Sequence, residues 1–329
     1  MYYESYQKKP RRRRPRARRS TFGEWLAQGL LKLLALLLIA ALLCAGLLYA
    51  LPPGTFLVEP EGGELALTDG LPGSCINVLL LGTDVLRSSM QRSDAVLIAS
   101  VGYGKLKLTS VLRDTVVDIP GHGQGKLNAA FAYGGAELAM RTLNQTFGLN
   151  IMHYAQVDFV ALVKLVDAIG GVEIDLTDAE RDRLNLTLRG SGKIFAPLGY
   201  TAHEVTASGE NIHLDGLQAL SYARIRKIDS DFVRTSRQRK LLNAMLKKIR
   251  SSLWNPALWV RLGRAVLESV HTNMSPLQIL SLGEKALLAG GAEQLRLPVD
   301  GSYTDNGSKI TIDNRTANRD AFYRFVYES

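Results

Sequence analysis

Two cysteines among 329 residues, Cys44 and Cys75, leave no room for a disulfide framework or a Cys-rich zinc site, so stability must come from a packed core. Histidine is also sparse. His122, His153, His203, His213 and His271 are scattered without metal-ligand spacing. No G-x-S-x-G elbow and no H-E-x-x-H is present, which removes the α/β-hydrolase and zincin templates. A phosphate loop fails as well, since Gly125-Lys126 is followed by Leu127 and Pro120 stands where its first glycine is needed. There is little net charge outside the N-terminus: residues 52–329 carry only +1, although the whole chain carries +9. Excess base is thus confined to an arm, which argues against a nucleic-acid-binding globular surface. With 46% hydrophobic residues the chain can bury a full core.

That arm is dense: nine of the twelve residues from Lys8 to Arg19 are Lys or Arg. Leu33 to Leu51 follows as 19 residues without a charge, which at 1.5 Å per residue spans about 29 Å, against roughly 30 Å of bilayer hydrocarbon. The reading is a basic cytoplasmic arm (1–29), one transmembrane helix (30–51) and a Pro/Gly-rich, acidic extracellular linker (52–74). The positive-inside rule then places the N-terminus in the cytoplasm and the rest outside the cell membrane. A cleaved signal peptide is the competing reading, but the apolar run is longer than the usual apolar core of about 7 to 15 residues. The arm could be a solvated charge run, a clamp on anionic lipid or a DNA-touching tail; lipid attraction requires no specific partner.

Beyond the linker, Ile76 to Leu81, Ala95 to Val101 and Lys105 to Leu112 are short apolar or alternating runs that predict strands. Gly121 to Gly125 predicts a loop and Asn128 to Phe147 a helix. Ile151 to Val157 and Val172 to Leu176 predict strands flanking a helix from Phe159 to Ile169. Residues 177–213, polar and Gly-rich, predict an extended loop or lid. Helices resume near Leu214, with Asp231 to about Arg250, Trp254 to His271 and Pro276 to Ala289 as further helical stretches. The alternation predicts an α/β sandwich built on a central sheet over residues 75–300, with 301–329 left as an unplaced tail.

Charged residues stand at three predicted strand ends: Gly82-Thr83-Asp84, Arg92-Ser93-Asp94 and Ser110 through Arg113-Asp114. Ligands of open α/β sheets bind beside strand ends. A fourth cluster is Tyr222-Ala223-Arg224-Ile225-Arg226, then Asp231, Arg234, Arg237 and Gln238. If 222–226 is extended, Arg224 and Arg226 project to one side; on the following helix Arg234, Arg237 and Gln238 share a face that continues into Leu241 and Met245. Converging guanidinium groups suit phosphates through forked hydrogen bonds. A solvated basic helix paired with Asp229 and Asp231 is the plainer alternative. Two carboxylates about 4 Å apart repel by roughly 4 kcal/mol at an effective dielectric of 20, so Asp84 and Asp94, if convergent, need a cation such as Mg²⁺ between them. An amphiphilic phosphate ester is the ligand these features suit.

The same residues carry a resemblance to the LytR-CpsA-Psr family of cell-wall glycopolymer transferases. It extends from about Ile76 to Arg250 and includes Ile119-Pro120-Gly121, Lys126 to Ala130, Tyr133-Gly134-Gly135, Val166-Asp167 through Val172, and Leu214-Asp215-Gly216 besides the four clusters. Leu112 departs from the family's usual Pro, and Arg87 stands one place later than the usual Arg. The resemblance implies a bacterial phosphotransferase that moves a glycan phosphate from a polyprenyl-pyrophosphate carrier to a peptidoglycan hydroxyl. It also implies an apolar pocket for the prenyl chain. By position Asp84 and Asp94 match the Mg²⁺-associated carboxylates, and Arg113, Arg224, Arg226, Arg234 and Gln238 the pyrophosphate-binding residues. Arg92 and Arg237 complete the candidate phosphate set; Arg113, Asp94 and Asp84 are the candidate catalytic residues. A lipid-phosphate-binding module without chemistry and a lipid-pyrophosphate hydrolase are the competing functions.

Overall fold

The computed structural model describes residues 65–83, 93–102, 104–225, 231–289 and 292–328. The basic arm, the apolar run Leu33–Leu51 and Asp84, Arg92 and Arg226 lie outside them. Among the described residues no helix is long and apolar enough to cross a membrane.

Three strands open the fold, β1 (Cys75–Thr83), β2 (Ser93–Gly102) and β3 (Lys105–Val111). They are followed by β4 (Thr115–Ile119), β5 (Gly123–Lys126), α1 (Leu127–Phe147), β6 (His153–Asp158), α2 (Phe159–Ala168) and β7 (Val172–Leu176). Next come α3 (Asp178–Phe195), β8 (Gly209–Leu214), α4 (Gly216–Ala223), α5 (Asp231–Ser251), α6 (Pro256–Ser269), β9 (Val270–Thr272) and α7 (Pro276–Leu288). The chain closes with β10 (Ala292–Leu297), β11 (Tyr303–Asp305), β12 (Ile310–Ile312), α8 (Arg315–Tyr323) and a π-helical turn, Arg324–Glu328.

The central sheet has six strands in the order β10-β3-β2-β1-β6-β9. It is mixed, because β1 pairs in parallel with β6 and β3 with β10, while β2 runs against both its neighbours. Both faces of β1 are buried, so its six-residue apolar run needs no alternation. Leu79, Leu81, Val96 and Ile98 pack under Met140, Leu143 and Phe147 of α1. On the opposite face Ile76, Val78, Val101 and Leu108 meet Leu282 of α7, with Leu242 and Leu246 of α5 beside them. A separate apolar cluster joins α2, α3, α4 and α5 through Val163, Val166, Leu184, Leu188, Phe195, Leu217, Leu220 and Leu241.

Four segments differ from the sequence expectation. Residues 177–213 hold a helix and a strand instead of a lid: Thr177 and Glu180 form a capping box, and Leu184, Leu188 and Phe195 are buried amid polar neighbours. Their sparse apolar stripe hides the helix from a hydrophobicity reading. The expected loop at Gly121–Gly125 is the turn and first part of a hairpin strand, β5 pairing with the short β4. β7 pairs with β8 in a two-stranded sheet and does not join the central one. Finally, Tyr222 to Arg224 is not extended, and Arg226 lies outside the described residues. Asp215 and Gln218 cap α4 reciprocally, the helix runs through Ala223, and Arg224 is its C-cap at φ −101°, ψ 3°. The tail is part of the core: Phe322 and Val326 are buried against α1.

Candidate active site at the sheet edge

Strand direction brings the strand ends beside three of the charged clusters to one end of the central sheet. The C-terminal ends of β1, β3 and β6 and the start of β2 meet there, as Thr83 pairs with both Ser93 and Asp158. Gly82 pairs with Ala95 and Thr83 with Ser93, so Asp94 is the extra residue of a β-bulge. Thr83 is followed in the chain by Asp84 and Ser93 by Asp94, which makes the two carboxylate-bearing residues chain neighbours of one strand pair. Hard oxygen donors on adjacent strand ends suit Mg²⁺. Among the described residues no group of three His, Cys, Asp or Glu could hold a metal; Asp84 is outside them, and Asp94, like Arg234, is described only in its backbone.

Arg113 follows β3 by two residues. Its Nε donates to Asp114 Oδ2 at 3.3 Å, and Lys126 Nζ donates to Asp114 Oδ1 at 2.8 Å. The Arg113 carbonyl accepts from Asn128 N at 3.1 Å, tying this corner to the first turn of α1.

Beside that edge lies a chamber of about 290 Å³. Its floor is the sheet, with Leu80, Gly82, Ala95, Leu97, Ala155 and Val157; its walls are Phe159, Leu162 and Leu165 of α2 and Leu220 and Ala223 of α4. Gln238, Leu241, Leu242 and Met245 of α5 complete the wall at i, i+3, i+4 and i+7, one helical stripe. Among the described residues, Asp158, Arg224 and Gln238 bring charged or amide side chains to the lining. Asp158 is occupied locally, accepting from Ala161 N at 2.7 Å as the N-cap of α2. An otherwise apolar chamber with a guanidinium and an amide is built for an amphiphile with an anionic head.

The Arg224 guanidinium lies 4.5 Å from the Phe159 ring centroid, and its Nη1 donates to Ser191 Oγ at 3.2 Å. Arg237 faces elsewhere. It is 3% exposed, and its Nε donates to Glu180 Oε1 at 3.0 Å between two shielded side chains. The Arg237–Glu180 pair joins α5 to α3 next to Tyr222, whose phenol is pushed well above its ordinary range by burial and then by Glu180. Gln238 lines the chamber and Arg237 does not, although both stand on the face expected to bind phosphate.

Sequence reasoning missed four partners: Glu180, Ser191, Phe159 as a platform, and Arg239. Arg239 Nη1 donates to Ser110 Oγ at 2.8 Å and its Nε to Gln294 Oε1 at 2.7 Å, fastening α5 to β3 and β10. Burial lowers its affinity for a proton, with nearby Arg296 adding to the effect. Its position directly after Gln238 was the available signal. Asp167 accepts from Gly216 N at 2.8 Å, and burial raises its carboxyl above the usual range.

The chain matches the LytR_cpsA_psr family over residues 66–321 and belongs to it. It is 34% identical over 253 residues to the polyisoprenyl-teichoic acid–peptidoglycan teichoic acid transferase TagU of Enterococcus faecalis, covering 74% of this chain and 76% of that one. It is 29% identical over 265 residues to the regulatory protein MsrR of Staphylococcus aureus, covering 77% and 75%. Among solved structures, TagT bound to LI-WTA shares the fold with a TM-score of 0.64 and 24% identity, over 83% of this chain and all of that one. TagT with bound octaprenyl pyrophosphate lipid shares it with a TM-score of 0.61 and 21% identity, over the same shares. The central mixed sheet and α/β architecture are thus those of this family.

Proposed function

We propose that this chain transfers a glycan phosphate from a polyprenyl-pyrophosphate carrier to a hydroxyl of peptidoglycan. The observation that carries the reading is the apolar chamber whose lining includes Arg224 and Gln238, beside the strand ends that lead to Asp84, Asp94 and Arg113. The relationship to TagU supports the transferase class, and TagT with octaprenyl pyrophosphate supports the ligand class.

In this reading the prenyl chain lies along Leu241, Met245 and Leu162, and the pyrophosphate sits at the sheet edge. Arg224, held by Phe159 and Ser191, binds its oxygens, with Arg92, Arg113, Arg226, Arg234 and Gln238 completing the set. Arg237 positions α5 through Glu180. The acceptor oxygen bonds to the glycan's phosphorus as the bond to the lipid phosphate breaks, and polyprenyl phosphate leaves. Asp94 or Asp84 takes the acceptor proton. The guanidinium groups neutralise charge on the departing lipid phosphate. Mg²⁺ held by Asp84 and Asp94 would supply further neutralisation of the pyrophosphate. In this reading the basic arm (1–29) is cytoplasmic, residues 30–51 cross the cell membrane once, and the catalytic unit works on the outer side, where peptidoglycan lies.

Mass spectrometry of lipid co-purifying with the full chain tests the ligand. Polyprenyl phosphate or pyrophosphate is expected with the wild type and not with Arg224→Ala plus Arg226→Ala. Well-folded wild-type protein that neither retains nor binds added polyprenyl pyrophosphate overturns the reading.

A further inference from the structure

The end of α5 and the whole of α6 carry two features that the catalytic reading does not use. The first is exposed apolar surface. Trp254 is 88% exposed, Val260 73% and Leu267 75%, with Trp259 at 37%. On α6, Trp259, Gly263 and Leu267 recur at i, i+4 and i+8 with Val260 alongside, so they form an outer stripe distinct from the inner one of Leu258 and Ala265. A helix with two apolar stripes has one more than its own fold uses.

The second feature is charge. Between Lys247 and Ser269 there are five basic residues and one acid, Glu268, a net of +4 in a stretch of 23 residues, whereas all of 52–329 carries only +1. Arg264 is exposed on α6, where it pairs with Glu268 at 2.7 Å, and Arg261 fastens the helix to the end of α2 through the Ala168 carbonyl at 3.1 Å. Trp259 donates its indole N–H to the Leu253 carbonyl at 2.8 Å, which leaves the ring without an unmet polar demand.

We propose that α6 and the preceding Trp254 loop lie on the anionic surface of the membrane that carries the chain, with Trp254, Trp259, Val260 and Leu267 entering the headgroup boundary. Tryptophan concentrates at membrane interfaces, and an apolar stripe flanked by Arg and Lys is the pattern of an interfacial helix. Tethering makes the contact accessible. Thirteen residues, 52–64, separate the end of the apolar run from the described fold, and fully extended they reach at most about 45 Å. A single exposed helix that would bind a bilayer weakly on its own gains a high local concentration of lipid from such a tether. The inner stripe of α6 packs toward α2, whose Phe159, Leu162 and Leu165 wall the chamber, so docking holds the chamber close to the bilayer in which a prenyl carrier resides. The proposal rests on the membrane-tethered reading above.

The test uses the full chain carrying Trp25→Phe, which leaves Trp254 and Trp259 as its tryptophans. It is reconstituted into vesicles of phosphatidylcholine and phosphatidylglycerol, with and without bromine on the acyl chains. Bromolipid is expected to lower tryptophan emission by about half, because both rings sit at the interface. Adding Val260→Asp and Leu267→Asp is expected to abolish that quenching while the protein still floats with the vesicles. Flotation with unquenched tryptophans that iodide reaches freely overturns the docking and leaves the tether intact. Failure to float overturns the tether, and the docking with it.

Discussion

The guanidinium of Arg224 sits over the ring of Phe159, 4.5 Å from its centroid, and both residues line the same chamber. The strand end at Asp158 sets Phe159 at the first position of α2, and α4 ends where Arg224 begins to turn away. The relationship fixes where a phosphate can be gripped relative to an apolar chain. A cation stacked on an aromatic face is worth about 1–2 kcal/mol when shielded. Arg224→Lys keeps the charge but loses the planar fork. Its transfer rate is expected to fall about tenfold, and that of Phe159→Leu somewhat less, with thermal unfolding shifted by only a few degrees. Steady-state transfer and calorimetry on the same preparations check this.

The helix face of Gln238, Leu241 and Met245 that lines the chamber was legible in the sequence, and the reason is physical. Charged residues at the ends of apolar strands are anomalous one at a time, and the strands that lead to them, β1, β2 and β3, are neighbours in one sheet. Local patterning also placed β1, β2, β3 and α5. Facing was not legible. Arg237 and Gln238 are adjacent, yet one is committed to Glu180 and the other to the chamber, and only the packing of α3, itself hidden behind a polar sequence, decides that. The turn of Arg224 depended on the Asp215–Gln218 capping box, a local signal that outweighed the extended reading.

The Arg237–Glu180 pair is shielded, so removing the carboxylate takes a charge-assisted hydrogen bond away from a buried guanidinium. Glu180→Ala is expected to cost about 2 kcal/mol of unfolding free energy, with Glu180→Gln costing less because its amide oxygen still accepts. Urea unfolding should show a lower midpoint at unchanged slope. Transfer per folded molecule should change less than in Arg224→Lys.

Gly216 opens α4 against α2. A Cβ there would collide with the Val163 carbonyl oxygen and meet Asp167 Oδ1 at 2.9 Å, both in the wall behind the chamber. Gly216→Ala is expected to destabilise by about 2 kcal/mol through overpacking and to weaken polyprenyl-pyrophosphate binding, since Leu220 and Ala223 must move with the helix. Lipid-binding titration beside thermal unfolding checks both parts.

Burial pushes the Cys75 thiol up to about 12 from an ordinary 9.0. The folded state therefore keeps the proton over a range in which the unfolded chain releases it, and stability falls as pH rises above about 9. At its steepest the loss is about 1.4 kcal/mol per pH unit. Cys75→Ala should lack that slope, so urea midpoints of the two proteins should converge as pH rises from 8 toward 10. On a Cys44→Ala background, iodoacetamide should label Cys75 in urea and not in the native protein.

Transfer itself is the most direct measurement: full-chain protein in vesicles, a polyprenyl-pyrophosphate-linked glycan labelled in its glycan-side phosphate, and purified peptidoglycan. Label is expected in the peptidoglycan with an equal amount of polyprenyl phosphate released, both lost in Arg224→Ala. Label released as free phosphoglycan whether or not peptidoglycan is present, or retained entirely on the lipid by folded protein that binds it, would contradict the transferase reading.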